Sequence, residues 1–301
     1  MTTAPSPTIS PARAWLMAIR PRTLPAAVSP VLVGTALAIH DGGFAPLPAL
    51  AALAGSLLLQ IAVNLSNDYF DHVRGVDGPQ RRGPVRVTQS GLISPERVRL
   101  GMILVFALAT LVGVYLIIEG GWPILVIGVT SILSALAYSG GPFPLASHGL
   151  GDLFVYLFFG LAAVCGTYIA QAHGLPLGVV IASIPPGFLI TDIIVVNNTR
   201  DIETDREAGK HTLAVMLGET GSRVEYVALL IISYLVPVAM WIAGQWPVWG
   251  VLSLLSLPLA VSLVRDLLRA ADGPSFNKLL AGTARLALVF SILLSIGLAI
   301  R

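Results

Sequence analysis

The chain has few charged residues and almost no cysteine. Only 11% of its 301 residues are charged and 55% are hydrophobic, whereas about 25% of the residues in an ordinary soluble domain are charged. Its one cysteine, Cys165, excludes an intrachain disulfide and a cysteine metal site. The net charge of +2 is too small to indicate a nucleic-acid partner. This composition predicts an integral membrane protein of the all-α class.

Long apolar stretches divide the chain into membrane-spanning segments. A helix needs about 20 apolar residues to cross a bilayer, and the sequence has nine such stretches. They cover residues 14–40, 45–70, 97–118, 122–139, 151–172, 175–197, 223–243, 246–264 and 279–300. The first 12 residues, rich in Pro, Ser and Thr, predict a disordered tail. Residues 13–301 are therefore expected to form a single transmembrane domain surrounded by membrane lipid.

The basic residues indicate how the chain is oriented. With nine spans, 17 of the 18 Lys and Arg residues lie on or near the side of the N-terminus, and only Arg301 lies on the other. Basic residues concentrate in cytoplasmic loops of membrane proteins. The pattern predicts a multi-pass cell-membrane protein whose N-terminus is cytoplasmic and whose C-terminus is outside.

Two clusters of Asn and Asp interrupt the apolar pattern, one in each half of the chain. They contain Asn64, Asn67, Asp68 and Asp71, with Asp77 just beyond, and Asn198, Asp201 and Asp205. At 100° per residue, the first four fall on one stripe of the second predicted helix and the last three on one stripe of the sixth. Such residues could simply cap helix ends, but carboxylates in membrane helices are costly and usually functional. Because Mg²⁺ prefers oxygen ligands and phosphate, two facing stripes predict a magnesium and diphosphate site.

Basic residues follow both clusters and are candidates for binding the diphosphate. Arginine matches phosphate oxygens with two donors, and lysine supplies a point charge. The candidates are Arg86 and Lys210 first, then Arg20 and Arg22 at the mouth of the first helix, with Arg82 and Arg200 in the same loops. Positive-inside topology alone would also place basic residues in these loops.

Several motifs together resemble a known family. They are Asn67-Asp68-x-x-Asp71 and the segments 20–25, 83–91, 138–144, 149–152 and 197–214. This set, which covers nearly the whole chain, resembles the UbiA superfamily of intramembrane prenyltransferases, and within it the 1,4-dihydroxy-2-naphthoate polyprenyltransferase branch. The 4-hydroxybenzoate branch usually has a third Asp where this chain has Gly75. The acid here is Asp77, two residues later, which is a further candidate metal ligand.

The resemblance implies a nine-helix bundle around a central cavity open toward the membrane. It also implies transfer of a polyprenyl group from polyprenyl diphosphate to 1,4-dihydroxy-2-naphthoate, with loss of carbon dioxide, to give demethylmenaquinol. The predicted catalytic residues are Asp71, Asp201 and Tyr138, whose ring could face the allylic cation or anchor the helix at the interface. Asn64, Thr88, Gln89 and Asp192 are predicted to order the first loop or to contact the acceptor.

Two other functions fit parts of the sequence. A secondary transporter also has acids within its membrane helices, but they normally lie near the bilayer midplane, whereas here they gather at one face. Within the prenyltransferases, the acceptor could instead be another aromatic acid such as 4-hydroxybenzoate.

Overall fold

The computed structural model describes residues 9–75, 83 and 85–300. Within these residues the chain is helical and contains no β-strand. The helices are α1 (Pro11–Ile19), α2 (Pro25–His40), α3 (Pro46–Val73), α4 (Pro95–Gly120), α5 (Trp122–Ser139), α6 (Gly151–Val155), α7 (Ala163–Ala172), α8 (Leu177–Ala182), α9 (Ile184–Arg200), α10 (Ile202–Glu207), α11 (Leu213–Ile242), α12 (Leu257–Arg269) and α13 (Gly273–Ala299). Helix α1 includes Pro11 and Ala12, the last two residues of the predicted tail, so the helical part begins earlier than predicted.

Eight helical segments of the described chain are long and apolar enough to cross a bilayer. They begin with Pro46–Val73 and end with Gly273–Ala299, and they match eight of the predicted spans. The remaining span is a pair of helices, Pro11–Thr23 and Pro25–His40, bent by 48° between them. The count reaches nine only when this bent pair crosses the membrane as one span. The all-α, multi-pass architecture expected from the composition is confirmed.

The sixth span forms the centre of the bundle. In the most apolar part of Leu177–Arg200, 72% of the residues are buried, against 17% in Pro95–Gly120 and 17% in Trp122–Ser139. A close approach of two glycines contributes to this packing: a β-carbon added at Gly187 would lie 2.8 Å from the Cα of Gly160. Helix α9 therefore packs directly against the π-helical turn that joins α6 to α7.

The predicted polar stripe on the sixth span is not one continuous helix. Helix α9 ends at Arg200, and Asp201 has φ −100° and ψ 8°, outside the helical range. Asp205 lies on the following short helix α10. The prediction that Asn198, Asp201 and Asp205 share one helical stripe is therefore wrong. A sharp turn at Asp201 brings the three side chains to the same region instead.

Candidate functional site

Most members of the two Asn and Asp clusters line one cavity of about 870 Å³. Helix α3 contributes Asn64, Asn67 and Asp71. The α9–α10 turn contributes Asn197, Asn198, Asp201 and Asp205. Asp205 lies within the electrostatic influence of both Asp201 and Asp71. Two acidic tips therefore face one another across the cavity: the end of α3, with Asn67 and Asp71, and the α9–α10 turn, with Asn198, Asp201 and Asp205.

Asp71 is held by an arginine from the loop that follows α3. The Nη2 of Arg86 donates to Oδ2 of Asp71 at 2.6 Å, and both side chains are buried. Both residues also line the cavity. A charge-assisted bond between buried groups is among the stronger contacts in a protein. It fixes a cation and an anion side by side at the polar end of the cavity.

Asp68 is turned away from the cavity and toward the same loop. Its carboxylate accepts hydrogen bonds from the backbone N–H groups of Val87, at 3.2 Å, and Thr88, at 3.0 Å. The Thr88 hydroxyl also donates to it, and Arg20 lies 3.8 Å away. Asp68 is not among the cavity-lining residues. Its carboxylate therefore orders the loop, with Thr88 as its main partner, which differs from the predicted role of Asp68 as a metal ligand.

Asn64 and Asn67 use their side chains to join neighbouring elements. The Asn64 amide donates to the Ile19 carbonyl at 2.8 Å and to the Thr23 hydroxyl at 3.0 Å, which ties α3 to the bend after α1. Asn67 accepts from the Ser139 hydroxyl at 2.7 Å. Ser139 was not predicted as a site residue, although it lies directly after Tyr138.

An arginine also positions the second acidic tip. Arg200 donates two bonds to Asp201, at 2.9 Å and 2.6 Å. It also donates to Asn197 at 2.9 Å and to Asn277 of α13 at 2.6 Å. Arg200 is buried and does not line the cavity. It therefore fixes Asp201 from behind, which differs from its predicted role in binding diphosphate. No sequence pattern pointed to Asn277.

Asp205 and Lys210 form a second pair of opposite charges. Their Oδ1 and Nζ atoms are 3.4 Å apart, and both residues line the cavity. Burial raises the pKa of the Asp205 carboxyl, and the charge of Lys210 acts in the opposite direction. Like Arg86, Lys210 is a cation held beside a carboxylate at the cavity wall.

The remaining candidates are distributed between the cavity and its surroundings. Arg20 and Tyr138 line the cavity, and a β-carbon added at Gly151 would lie 3.3 Å from the Tyr138 hydroxyl. Arg22 and Gln89 are exposed and lie outside the lining. Asp77 and Arg82 lie outside the described residues.

Asp192 is fully buried in the middle of α9 and does not line the cavity. Neither of its carboxylate oxygens has a hydrogen-bond partner in the described chain. It lies within the electrostatic influence of Glu225 and Asp152, two acids that were not among the predicted site residues. The geometry gives Asp192 no direct contact with a substrate in the cavity.

The donors that line the polar end suit a hard divalent cation. Asn67, Asp71, Asn198, Asp201 and Asp205 all present oxygen atoms, and magnesium is usually bound by one or two carboxylates together with water and phosphate oxygens. No group of three His, Cys, Asp or Glu side chains in the described residues is close enough to hold a metal by itself. These residues therefore fit a metal whose ligands include amide oxygens and a phosphorylated substrate.

Comparisons with known proteins agree with this architecture. The sequence model of the UbiA prenyltransferase family matches residues 27–296. The 1,4-dihydroxy-2-naphthoate octaprenyltransferase of Escherichia coli K12 is 39% identical over 297 residues, which cover 96% of each chain. The protein of the same name from Mycobacterium tuberculosis is 35% identical over 92% of this chain and 94% of its own.

Solved structures show the same fold at lower identity. The apo structure of a UbiA homologue from Aeropyrum pernix K1 is 16% identical and superposes with a TM-score of 0.71, over 90% of this chain and 97% of that one. A UbiA homologue from Archaeoglobus fulgidus bound to GPP and Mg²⁺ is also 16% identical, with a TM-score of 0.64 over 94% of this chain and 99% of that one. With a family match over most of its length, the chain belongs to the UbiA prenyltransferase family.

Proposed function

We infer that this protein transfers a polyprenyl group from polyprenyl diphosphate to 1,4-dihydroxy-2-naphthoate, with loss of carbon dioxide, to give demethylmenaquinol for menaquinone biosynthesis. The observation that carries the proposal is the meeting of the two acidic tips at one end of a cavity whose other walls are mostly apolar. Such a cavity suits a substrate with a charged head and a hydrocarbon tail. The Escherichia coli and Mycobacterium tuberculosis relatives, both 1,4-dihydroxy-2-naphthoate octaprenyltransferases, indicate the acceptor.

The polar end would hold the diphosphate together with Mg²⁺. The residues that would bind the metal are Asn67, Asp71, Asn198, Asp201 and Asp205. The Archaeoglobus fulgidus homologue, whose structure is bound to GPP and Mg²⁺, supports this pairing of ligands. When bound, the metal supplies positive charge that stabilises the departing diphosphate. Asp68 is assigned to the loop instead, because its carboxylate is already engaged by Val87 and Thr88.

Three basic residues would bind the diphosphate oxygens. Arg20, Arg86 and Lys210 line the same end of the cavity as the acidic residues. Arg86 and Lys210 are each held beside one carboxylate. They are thus oriented before substrate arrives, and preorganised charges stabilise a transition state more effectively than mobile ones. Exposed Arg22 and the buried Arg200 are less suited to this role.

The reaction first forms an allylic cation and a diphosphate anion, and the aromatic ring then neutralises the cation. The allylic carbon–oxygen bond breaks, and both of its electrons leave with the diphosphate. The π electrons of the hydroquinone ring form the new carbon–carbon bond at the carbon that bears the carboxylate. Breaking the bond to the carboxylate returns electrons to the ring and releases carbon dioxide. Tyr138 lines the cavity and can present its ring face to the allylic cation, while the apolar walls exclude water that would capture it.

The topology proposed for the cell follows from the basic loops. The Arg and Lys residues that surround the site would lie in the cytoplasm, with the N-terminus on that side and the C-terminus outside. In this orientation the diphosphate end of the cavity faces the compartment that contains soluble diphosphates. Alkylation, in intact cells, of single cysteines placed at residues 9 and 300 of a Cys165→Ala variant would test this orientation.

A direct assay tests the function. Purified protein in nanodiscs is supplied with Mg²⁺, labelled polyprenyl diphosphate and either 1,4-dihydroxy-2-naphthoate or 4-hydroxybenzoate. We expect a prenylated naphthoquinol and an equal amount of released carbon dioxide, with loss of turnover when a chelator removes Mg²⁺. Prenylation of 4-hydroxybenzoate alone would contradict the proposed acceptor. Full turnover in the presence of chelator would contradict the metal.

A further inference from the structure

The end of α5 is held by one face of α3. Asn67, Phe70 and Arg74 follow one another at spacings of three and four residues, which places them on the same side of that helix end. Asn67 accepts a hydrogen bond from the Ser139 hydroxyl at 2.7 Å, and Nη1 of Arg74 donates to the Ser139 carbonyl at 3.0 Å. Phe70 packs against the next residue, because a β-carbon added at Gly140 would lie 2.8 Å from its ring. We call these five residues the α3–α5 clamp.

Arg74 caps two helices at once. Its backbone N–H donates to the Phe70 carbonyl at 3.0 Å, at the end of α3. Its side chain donates to the last carbonyl of α5. The last carbonyls of a helix have no partner within the helix, and a cation placed beside them is stabilising. The last turn of α5 has no basic residue of its own. Arg74 therefore supplies from α3 the charge that the end of α5 lacks.

The chain that follows α5 gives this helix end little support. Gly140 and Gly141 come directly after Ser139, and Gly141 has φ 76°. Glycine loses more conformational freedom on folding than any other residue, and the last turn of a helix tends to fray. The contacts with α3 therefore fix the last turn of α5.

Tyr138 belongs to this last turn and precedes Ser139. Its side chain lines the cavity, and its hydroxyl lies against the start of α6, where a β-carbon added at Gly151 would be 3.3 Å away. A frayed turn would let the ring take several positions, whereas the clamp gives it one backbone position. The clamp also joins the ring to an acidic tip, because Asn67 and Asp71 lie on the same helix end. A group fixed in advance stabilises a developing charge better than a mobile one.

We propose that Arg74 and Ser139 are positioning residues that hold the Tyr138 ring over the allylic cation. This inference rests on the proposed function, in which that cation forms. The cation has two competing fates. Attack by the aromatic acceptor gives the prenylated product, and attack by the oxygen of water, with loss of a proton, gives a prenyl alcohol. The ring covers the cation, so water captures it only while the ring is displaced.

The ratio of the two products tests the clamp. Purified variants in nanodiscs are supplied with Mg²⁺, labelled polyprenyl diphosphate and 1,4-dihydroxy-2-naphthoate, and both products are measured. Ser139→Ala removes the bond to Asn67, and we expect the alcohol fraction to rise on the order of fivefold, the scale of one neutral hydrogen bond. Arg74→Met removes a charged donor and should raise this fraction on the order of tenfold or more. Arg74→Lys keeps a charged donor and should restore most of the parent ratio.

Two control variants separate positioning from a general loss of structure or charge. Thr130→Val removes a hydroxyl that bonds only within α5, to the Val126 carbonyl at 2.7 Å and to the next carbonyl. Arg99→Met removes an exposed arginine outside the cavity lining. Both should keep the parent alcohol fraction. An unchanged fraction in Ser139→Ala and Arg74→Met would overturn the inference. Weaker diphosphate binding by Arg74→Met at the parent fraction would also overturn it, since Arg74 would then be a diphosphate ligand.

A second measurement reports the ring without turnover. The seven tyrosines are replaced by 3-fluorotyrosine, and Tyr138→Phe identifies the fluorine resonance of Tyr138. We expect one sharp resonance in the parent and in Thr130→Val, and a broadened or split one in Ser139→Ala and Arg74→Met. An identical resonance in the parent and in both clamp variants would overturn the inference. Absence of prenylated product from the parent would instead contradict the proposed function, and the fluorine spectra would still decide whether the clamp holds the ring.

Discussion

Replacing Asp68 by Asn tests whether this residue orders the loop or binds metal. The carboxylate accepts two backbone N–H groups and the Thr88 hydroxyl. The Asn side chain keeps one oxygen that accepts a hydrogen bond. Its NH2 group would face a backbone N–H, and two donors cannot form a hydrogen bond with each other. Hydrogen bonds to a charged group contribute about 1.5–3 kcal/mol each. A net loss of about 2 kcal/mol would increase the released form of the loop roughly 30-fold.

Limited proteolysis reports the released loop. Arg86 is buried and paired with Asp71, so trypsin should cleave after it only when the loop opens, and the cleavage rate should rise roughly 30-fold in Asp68→Asn. The Mg²⁺ concentration that gives half-maximal turnover should stay at the parent value, although turnover falls. Ser90→Ala, which removes one bond to the Arg86 carbonyl, is a milder control. An unchanged cleavage rate with a large shift in the Mg²⁺ requirement would contradict the loop assignment and restore Asp68 as a metal ligand.

Three further substitutions test other contacts. Asp71→Asn should lower turnover about 100-fold or more, the scale expected when a preorganised charge is lost, while the amount of protein in the membrane stays constant; retained turnover would contradict its role. Asn277→Leu removes the 2.6 Å bond to Arg200 and should lower the free energy of unfolding by about 1–3 kcal/mol, and an unchanged unfolding temperature in detergent would count against this contact. Gly187→Ala places a methyl group 2.8 Å from the Cα of Gly160. It should lower the free energy of unfolding by about 1–3 kcal/mol, measured in detergent as for Asn277→Leu. Equal stability would show that the two helical segments can move apart at no cost.

Some span boundaries could be predicted because they depend on local composition, whereas the predicted spans 223–243 and 279–300 begin ten and six residues after the observed Leu213–Ile242 and Gly273–Ala299. The fourth predicted span, 122–139, coincides with α5, and the fifth, 151–172, coincides with Gly151–Ala172. Hydrophobic residues at this density have few alternatives to a membrane helix. The bend between α1 and α2 was not predicted, because the stretch 14–40 is long enough for one span, although Arg20, Pro21 and Arg22 interrupt its apolar residues close to the bend.

Side-chain roles were harder to predict, because they depend on contacts with distant residues. Asn67 and Asp71 are four residues apart and face the same cavity, as the helical period requires. Asp68 is only one residue from Asn67, and contacts with a loop 20 residues later determine where it points. The position of the Arg200 side chain likewise depends on a distant residue, since its partner Asn277 lies 77 residues away. A pattern within one helix gives the face of a residue but not its partner.

The proposed chemistry requires the two acidic tips to hold one diphosphate between them. Titration of the purified protein with geranyl diphosphate and Mg²⁺ in an isothermal calorimeter measures this directly. We expect a single binding site per chain, lost in Asp71→Asn and lost equally in Asp201→Asn, because each tip supplies part of the same site. Binding with the parent stoichiometry and affinity in either variant would show that the two tips do not share one diphosphate.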